Sequence, residues 1–282
     1  MLLIVRNPIA AGSFYPANSS DLRTTIERFV RRVGEVEKRN VLGAVSPHAG
    51  YIYCGKTQAF VYKSLLQNTT FIIIGPNHMG LGARASIMCE GVWKTPLGTC
   101  RIETELAKKI LDKSSFLQED LHAHTQEHSI EVQLPWLQYF FSSVNFVPIT
   151  ISSSKPEVYK DIGSAIKESV IGNPVVIASS DFTHFGESYG YAPVSGGISK
   201  ISGFMEKVDL EAARAVAEIA PERLLEIVDK YDATICGSPA VATMLYAIKD
   251  RAKKGIVLDY STSYEVSRDT HAIVGYCGIV LE

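Results

Sequence analysis

Apolar residues fall along this chain in two patterns that alternate. Short β-rich runs closed by Gly, Pro or Ser read as buried parallel strands. They occupy 41–46, 70–75, 85–89, 145–150, 174–179, 256–261 and 272–281. Between them, apolar positions at helical spacing predict helices over 20–33, 55–66, 102–113, 155–169, 204–218, 221–229 and 239–250. Ile130, Leu134, Leu137 and Phe141 mark a further helix, and Pro135 inside it predicts a kink or a restart. Strands alternating with helices predict an α/β fold with a mostly parallel central sheet flanked by helices. No repeat, low-complexity tract or linker interrupts the pattern, so residues 1–282 read as one domain. Gly186 through Lys200 holds four glycines and a proline and reads as a long loop, suited to a lid or rim.

Composition narrows the function classes. The chain is 46% hydrophobic and 21% charged, ordinary for a globular protein. With 28 basic and 30 acidic residues and a net charge of -2, there is no electrostatic case for nucleic acid or an anionic membrane. No apolar stretch approaches the roughly 18 residues of a membrane span. Arg6 and Pro8 interrupt the N-terminal apolar residues too early for a signal-peptide core. Five cysteines without a CxxC pair read as reduced thiols, and the expected location is the cytoplasm.

Candidate chemistry gathers at predicted strand ends, where open α/β sheets build their sites. Three of the seven histidines lie there: His48 after 41–46, His78 after 70–75 and His184 after 174–179. Imidazole is the commonest protein metal ligand, so a metal shared by His48 and His78 is the natural joint reading. Asp181 and His184 lie three residues apart, suited to ligating that metal or to handling protons. Cys236 precedes a helix that Ser238 can cap and Pro239 can open. A thiol there suits a nucleophile or a metal ligand, or simply a small buried side chain. Cys54, Cys89, Cys100 and Cys277 carry less signal, the last three reading as core. In His122-Ala123-His124-Thr125-Gln126-Glu127-His128, the spacing suggests zinc, or a helix start capped by Thr125. His124, His128 and Tyr51 are candidate substrate-binding side chains, with Glu127 and Glu131 as partners of the histidines, while His122 reads as solvated.

Several segments resemble the Memo family: Arg6 through Pro16, Ser46 through Gly55, Gly75 through His78, Glu127 through Leu137, Ser179 through His184 and Cys236 through Pro239. The resemblance implies a fold similar to class III extradiol dioxygenases, which hold non-haem Fe(II) with two histidines and a carboxylate. It implies a crevice of His48, His78 and Cys236, with Asp181 and His184 beside it. Cys236 stands where those enzymes place a glutamate, and a thiolate favours zinc, copper or thiolate-ligated iron. The leading expectation is a divalent-metal oxidoreductase, with iron or copper ahead of zinc, acting on a small-molecule or peptide ligand. A non-catalytic module binding a phosphopeptide or small anion, and a zinc hydrolase, are the alternatives.

Overall fold

The β-branched runs pair with one another through the middle of the molecule. The structure is a computed structural model that describes residues 3–66 and 70–282. Met1 and Leu2, which open the stretch read against a signal peptide, lie outside the described residues. The strands are β1 (Val5–Arg6), β2 (Gly43–Ser46), β3 (Thr70–Pro76), β4 (Ala85–Ile87), β5 (Val92–Thr95), β6 (Gly98–Ile102), β7 (Gln118–Glu119), β8 (Asn145–Ile151), β9 (Val175–Ser179), β10 (His184–Phe185), β11 (Gly255–Thr262) and β12 (Ile273–Leu281). Helices run as α1 (Ser19–Arg32), α2 (Tyr51–Ser64), α3 (Thr104–Lys113), α4 (His122–Thr125), α5 (Leu134–Phe140), α6 (Pro156–Ser169), α7 (Ile198–Ala217), α8 (Pro221–Tyr231), α9 (Ser238–Ile248) and α10 (Tyr264–Ser267).

The sheet order is β1-β5-β6-β8-β3-β9-β2-β12-β10, with β11 on β12 and with β4 joining β8 to β7. From β6 to β2 every neighbouring pair is parallel. The β12 contacts to β2, β10 and β11 are antiparallel, as are β4–β8 and β5–β6. The molecule is therefore a single α/β domain on a mostly parallel, mixed sheet. Every residue of β2 and β9 is buried, as expected of parallel strands covered on both faces. Helix α2 packs on β2 and β12 with α1 and α5 behind it, while α9 packs on β2, β3 and β9 with α6 and α8 behind it.

Two predicted boundaries differ, each because of what the segment packs against. Helix α2 begins at Tyr51, so Gly55 lies inside it. A Cβ on Gly55 would sit 2.5 Å from the Phe29 ring, and the close approach of α1 explains a glycine mid-helix. The segment around Pro135 restarts as expected: a 3-10 turn over Glu131–Gln133 leads into α5, whose first turn holds the proline. Helix α7 starts at Ile198, inside the stretch read as loop, because Ile201 and Met205 pack against Phe185, Tyr191 and Ile273.

Candidate metal centre

β9 lies between β2 and β3, and the three strands are parallel, so their carboxyl ends stand side by side. His48, His78 and Asp181 each lie just beyond the last residue of one of them, at the crevice where open α/β sheets bind ligands. The Asp181 carboxylate crosses to β2, accepting the His48 N–H at 2.7 Å and the Ala49 N–H at 3.3 Å.

Hydrogen bonds set the histidine tautomers. The Ser179 hydroxyl donates to the Ser129 carbonyl at 2.7 Å and accepts from Gln133 Nε2 at 2.7 Å. Its proton is thereby committed, so His48 Nδ1, 3.0 Å away, is the donor to Ser179 Oγ. His48 Nε2 is left unprotonated, and the Cys236 thiol donates to it at 3.2 Å. His78 Nδ1 lies 3.0 Å from Glu127 Oε1, and the His78 backbone N–H donates to Oε2 at 2.6 Å. A carboxylate only accepts, so Nδ1 is the donor in this contact and Nε2 is turned away from Glu127.

A third imidazole completes the cluster. His128 stacks on His78 with ring centroids 4.8 Å apart, and Phe14 covers its other side at 4.3 Å. His48, His78 and His128 offer donor atoms that all lie within 4.8 Å of one another. The set fits a divalent metal: hydrogen bonds to Ser179 and Glu127 fix two of the three rings, as in many metal–histidine sites. Burial, reinforced by His78, holds the His48 imidazole well below its ordinary range. Burial and His48 bring His128 down to about 4. Burial opposes the charged form of Glu127, but the His78 contact, the Ser129 N–H and His128 outweigh it and hold this carboxyl at about 2.

The Glu127–Gln133 segment reaches the site because its other side is anchored. Arg6 pairs with Glu131, donates to the Glu127 carbonyl at 2.7 Å and lies 4.3 Å from the Trp93 ring centroid. Glu131 also accepts the Ile9 and Ala10 N–H groups, both at 2.9 Å, and the Tyr15 hydroxyl.

The crevice in front of the histidines has a volume of about 400 Å³. Asp181 and His184 share its wall, with Tyr53 and Tyr189 nearby. His184 Nδ1 faces two carbonyl oxygens, of Phe182 and Thr234, at 3.0 Å each, which leaves its Nε2 free. Burial raises the Asp181 carboxyl, against the lowering effect of His184 and the His48 N–H.

Several residues stand elsewhere than the sequence suggested. Tyr51 is buried and donates to the Val132 carbonyl, lining no part of the crevice. His124 is 0% exposed, with Nε2 3.1 Å from Ser86 Oγ and its ring edge toward Trp93. Neither is placed to touch a ligand in the crevice. His128 does line the crevice, within the three-histidine cluster, and His122 is exposed. Thr125 caps no following helix; its hydroxyl donates to the His122 carbonyl at the end of α4. Glu131 serves Arg6 rather than a histidine. The residue before α9 is Gly237, where a Cβ would meet Ser180 Cβ at 2.4 Å, and Ser238 makes no side-chain cap. Sequence reasoning did not single out Ser179 as the His48 partner or Gln133 as its support. The available signal was a run of polar residues, Ser129, Glu131 and Gln133, set among apolar neighbours.

The buried histidines predict acid sensitivity. Burial, followed by Arg6, lowers His124 to about 3, and His128 stands at about 4. The unfolded chain takes up these protons near pH 6.5 and the metal-free folded protein does not, so stability falls as pH drops from about 6.5 toward 4. Each such histidine contributes up to about 1.4 kcal/mol per pH unit in that window. Asp209, raised by burial to about 6, acts in the opposite sense and offsets part of the loss. Melting temperatures across this range test the sign, and His124→Asn should flatten the slope. A melting temperature that rises on acidification would refute it.

Comparison with known proteins identifies the family. The family profile described as Memo-like protein matches residues 6–280. A MEMO1 family protein of Pyrococcus abyssi is 39% identical, over 99% of this chain and 99% of the relative. Relatives of the same name from Methanopyrus kandleri and Thermoplasma acidophilum are 37% and 35% identical, each over 98% of both chains. The matched span takes in every strand of the sheet except the start of β1 and the end of β12, together with all the crevice residues; the chain belongs to the Memo family.

Proposed function

We propose that this chain is a metal-dependent oxidoreductase holding iron or copper in the histidine crevice. The observation that carries the proposal is the cluster of His48, His78 and His128, with donors within 4.8 Å of one another. His48 and His78 would supply two ligands, and His128 or Cys236 the third. The Cys236 sulfur, 3.2 Å from His48 Nε2, gives the site a soft donor that suits copper or iron. When bound, the metal would supply electron transfer. Ser179 and Glu127 hold the His48 and His78 rings in their ligating tautomers. Asp181 and His184 share one wall, and in this reading they exchange protons with the ligand. A zinc hydrolase is the second reading, favoured by the three-imidazole donor set itself.

Metal analysis of anaerobically purified protein, followed by nitric oxide binding to the ferrous form, separates the two. Copper or iron, or a paramagnetic nitrosyl signal after iron loading, supports the oxidoreductase. Zinc with no gas binding after iron loading favours the hydrolase, and protein that retains no divalent metal overturns both. His48→Ala and His78→Ala should abolish tight binding, and His128→Ala against Cys236→Ser identifies the third ligand. Asp181→Asn and His184→Gln should retain the metal.

A further inference from the structure

Cys236 does not line the histidine crevice. It lines a second open cavity of about 560 Å³, shared with His78, Asn77, Tyr159, Val228 and Asp229. His78 lines both spaces, so the candidate centre lies between two cavities rather than at the end of one. The second cavity is bounded by the β8–α6 connection, α8 and the start of α9.

Its lining points to the kind of molecule it receives. Asn77 is 6% exposed, and its Nδ2 donates to the Leu81 carbonyl at 2.7 Å. That bond fixes the amide orientation, and Oδ1 is left with no hydrogen-bond partner among the described residues. A buried carbonyl oxygen without a donor is costly, and it adds to the acceptor character of this wall of the cavity. The Asp229 carboxylate and several serine hydroxyls add acceptors, and no described Lys or Arg lines the space. An anion would find no cation there, whereas an ammonium or hydroxyl group would find several acceptors.

We propose that this cavity is a second binding subsite, through which a small ammonium- or hydroxyl-bearing molecule reaches Cys236 and His78 without crossing the histidine crevice. The proposal concerns access to the protein's own side chains and holds whether or not the histidines carry a metal.

Thiol labelling reads the route directly, because Cys54, Cys89, Cys100 and Cys277 are buried and Cys236 is partly exposed. Chelator-treated native protein should take one N-ethylmaleimide adduct, at Cys236. Tryptophan at the second mouth (Ser154→Trp, or Val228→Trp deeper in) should slow labelling about tenfold, equivalent to about 1.4 kcal/mol. Ala272→Trp, in the lining of the histidine crevice, should leave the rate unchanged. Ethanolamine should protect the thiol and inorganic phosphate should not. Ser154 is exposed, so its variant is expected to fold, and melting curves check each protein. Labelling slowed by Ala272→Trp but not by Ser154→Trp would place the route through the crevice and overturn the proposal. Equal protection by phosphate, or none by ethanolamine, would overturn the ligand class. Metal uptake by Ser154→Trp should match that of the parent protein, so a failed metal reading and a failed access reading register in different measurements.

Discussion

Glu131→Gln is expected to cost about 3–5 kcal/mol of stability, because it leaves a buried charge without its partner. The Glu131 side chain is 0% exposed and that of Arg6 3%, so neither charge has water to fall back on. At about 2–4 °C per kcal/mol for a protein approaching this size, the melting temperature should drop by about 6–20 °C. Glutamine keeps the shape, but it directs an NH2 group at donors that need an acceptor. Arg6→Met with Glu131→Leu should recover little, since the Ile9 and Ala10 N–H groups and the Tyr15 hydroxyl would still lack their acceptor. That separates a network from a simple ion pair, which apolar residues often replace without loss. A melting temperature within a degree or two of the parent, for either protein, would contradict this account.

Glu127→Gln should weaken metal binding roughly 10–100-fold, the usual cost of removing a carboxylate behind a ligating histidine. Glu127 takes both the ring and the backbone N–H of His78, and the Ser129 N–H as well. A glutamine oxygen at the Oε1 position keeps the ring and Ser129 bonds but turns its NH2 on the His78 N–H, and the opposite placement turns the NH2 on the ring, so either disturbs His78 while the ligand atom remains. His78→Ala should go further and remove tight binding altogether. Competition with a chelator of known affinity measures both variants. An unchanged affinity in Glu127→Gln would mean that His78 is oriented by something else, or is no ligand.

The sheet and its flanking helices were legible because parallel strands buried on both faces must be continuously apolar. The hairpin of β5 and β6 was not: Lys94, Thr99 and Arg101 break the apolar run, and pairing comes from neighbours distant in the chain. The forward extension of α7 was hidden in the same way, since its first turns are held by the Phe185 and Tyr191 cluster rather than by local propensity. At the site, His48, His78, Asp181 and His184 could be found because each stands just past a strand of recognisable pattern. His128 could be named as a crevice side chain but not as the third member of the histidine cluster, because that depends on Arg6 and Ala10 gripping Glu131 from more than a hundred residues away. Tyr51 and His124 misled for the converse reason: proximity in sequence to crevice residues says nothing about which way a side chain turns once a helix or a buried serine claims it.

The position of β12 bears on how the protein matures in a cell. β2, which carries His48, has β9 on one side and β12 on the other. Val45, Ala44 and Gly43 pair with Ile279, Val280 and Leu281, so one edge of β2 stays open until those residues arrive. During synthesis the histidines, the thiol and their supports all emerge from the ribosome well before that strand. A nascent chain therefore presents the clustered histidines on an unfinished sheet before their surroundings are complete. Assembly of the histidine cluster is then among the last events of folding, and any ligand it takes would bind after the chain is complete.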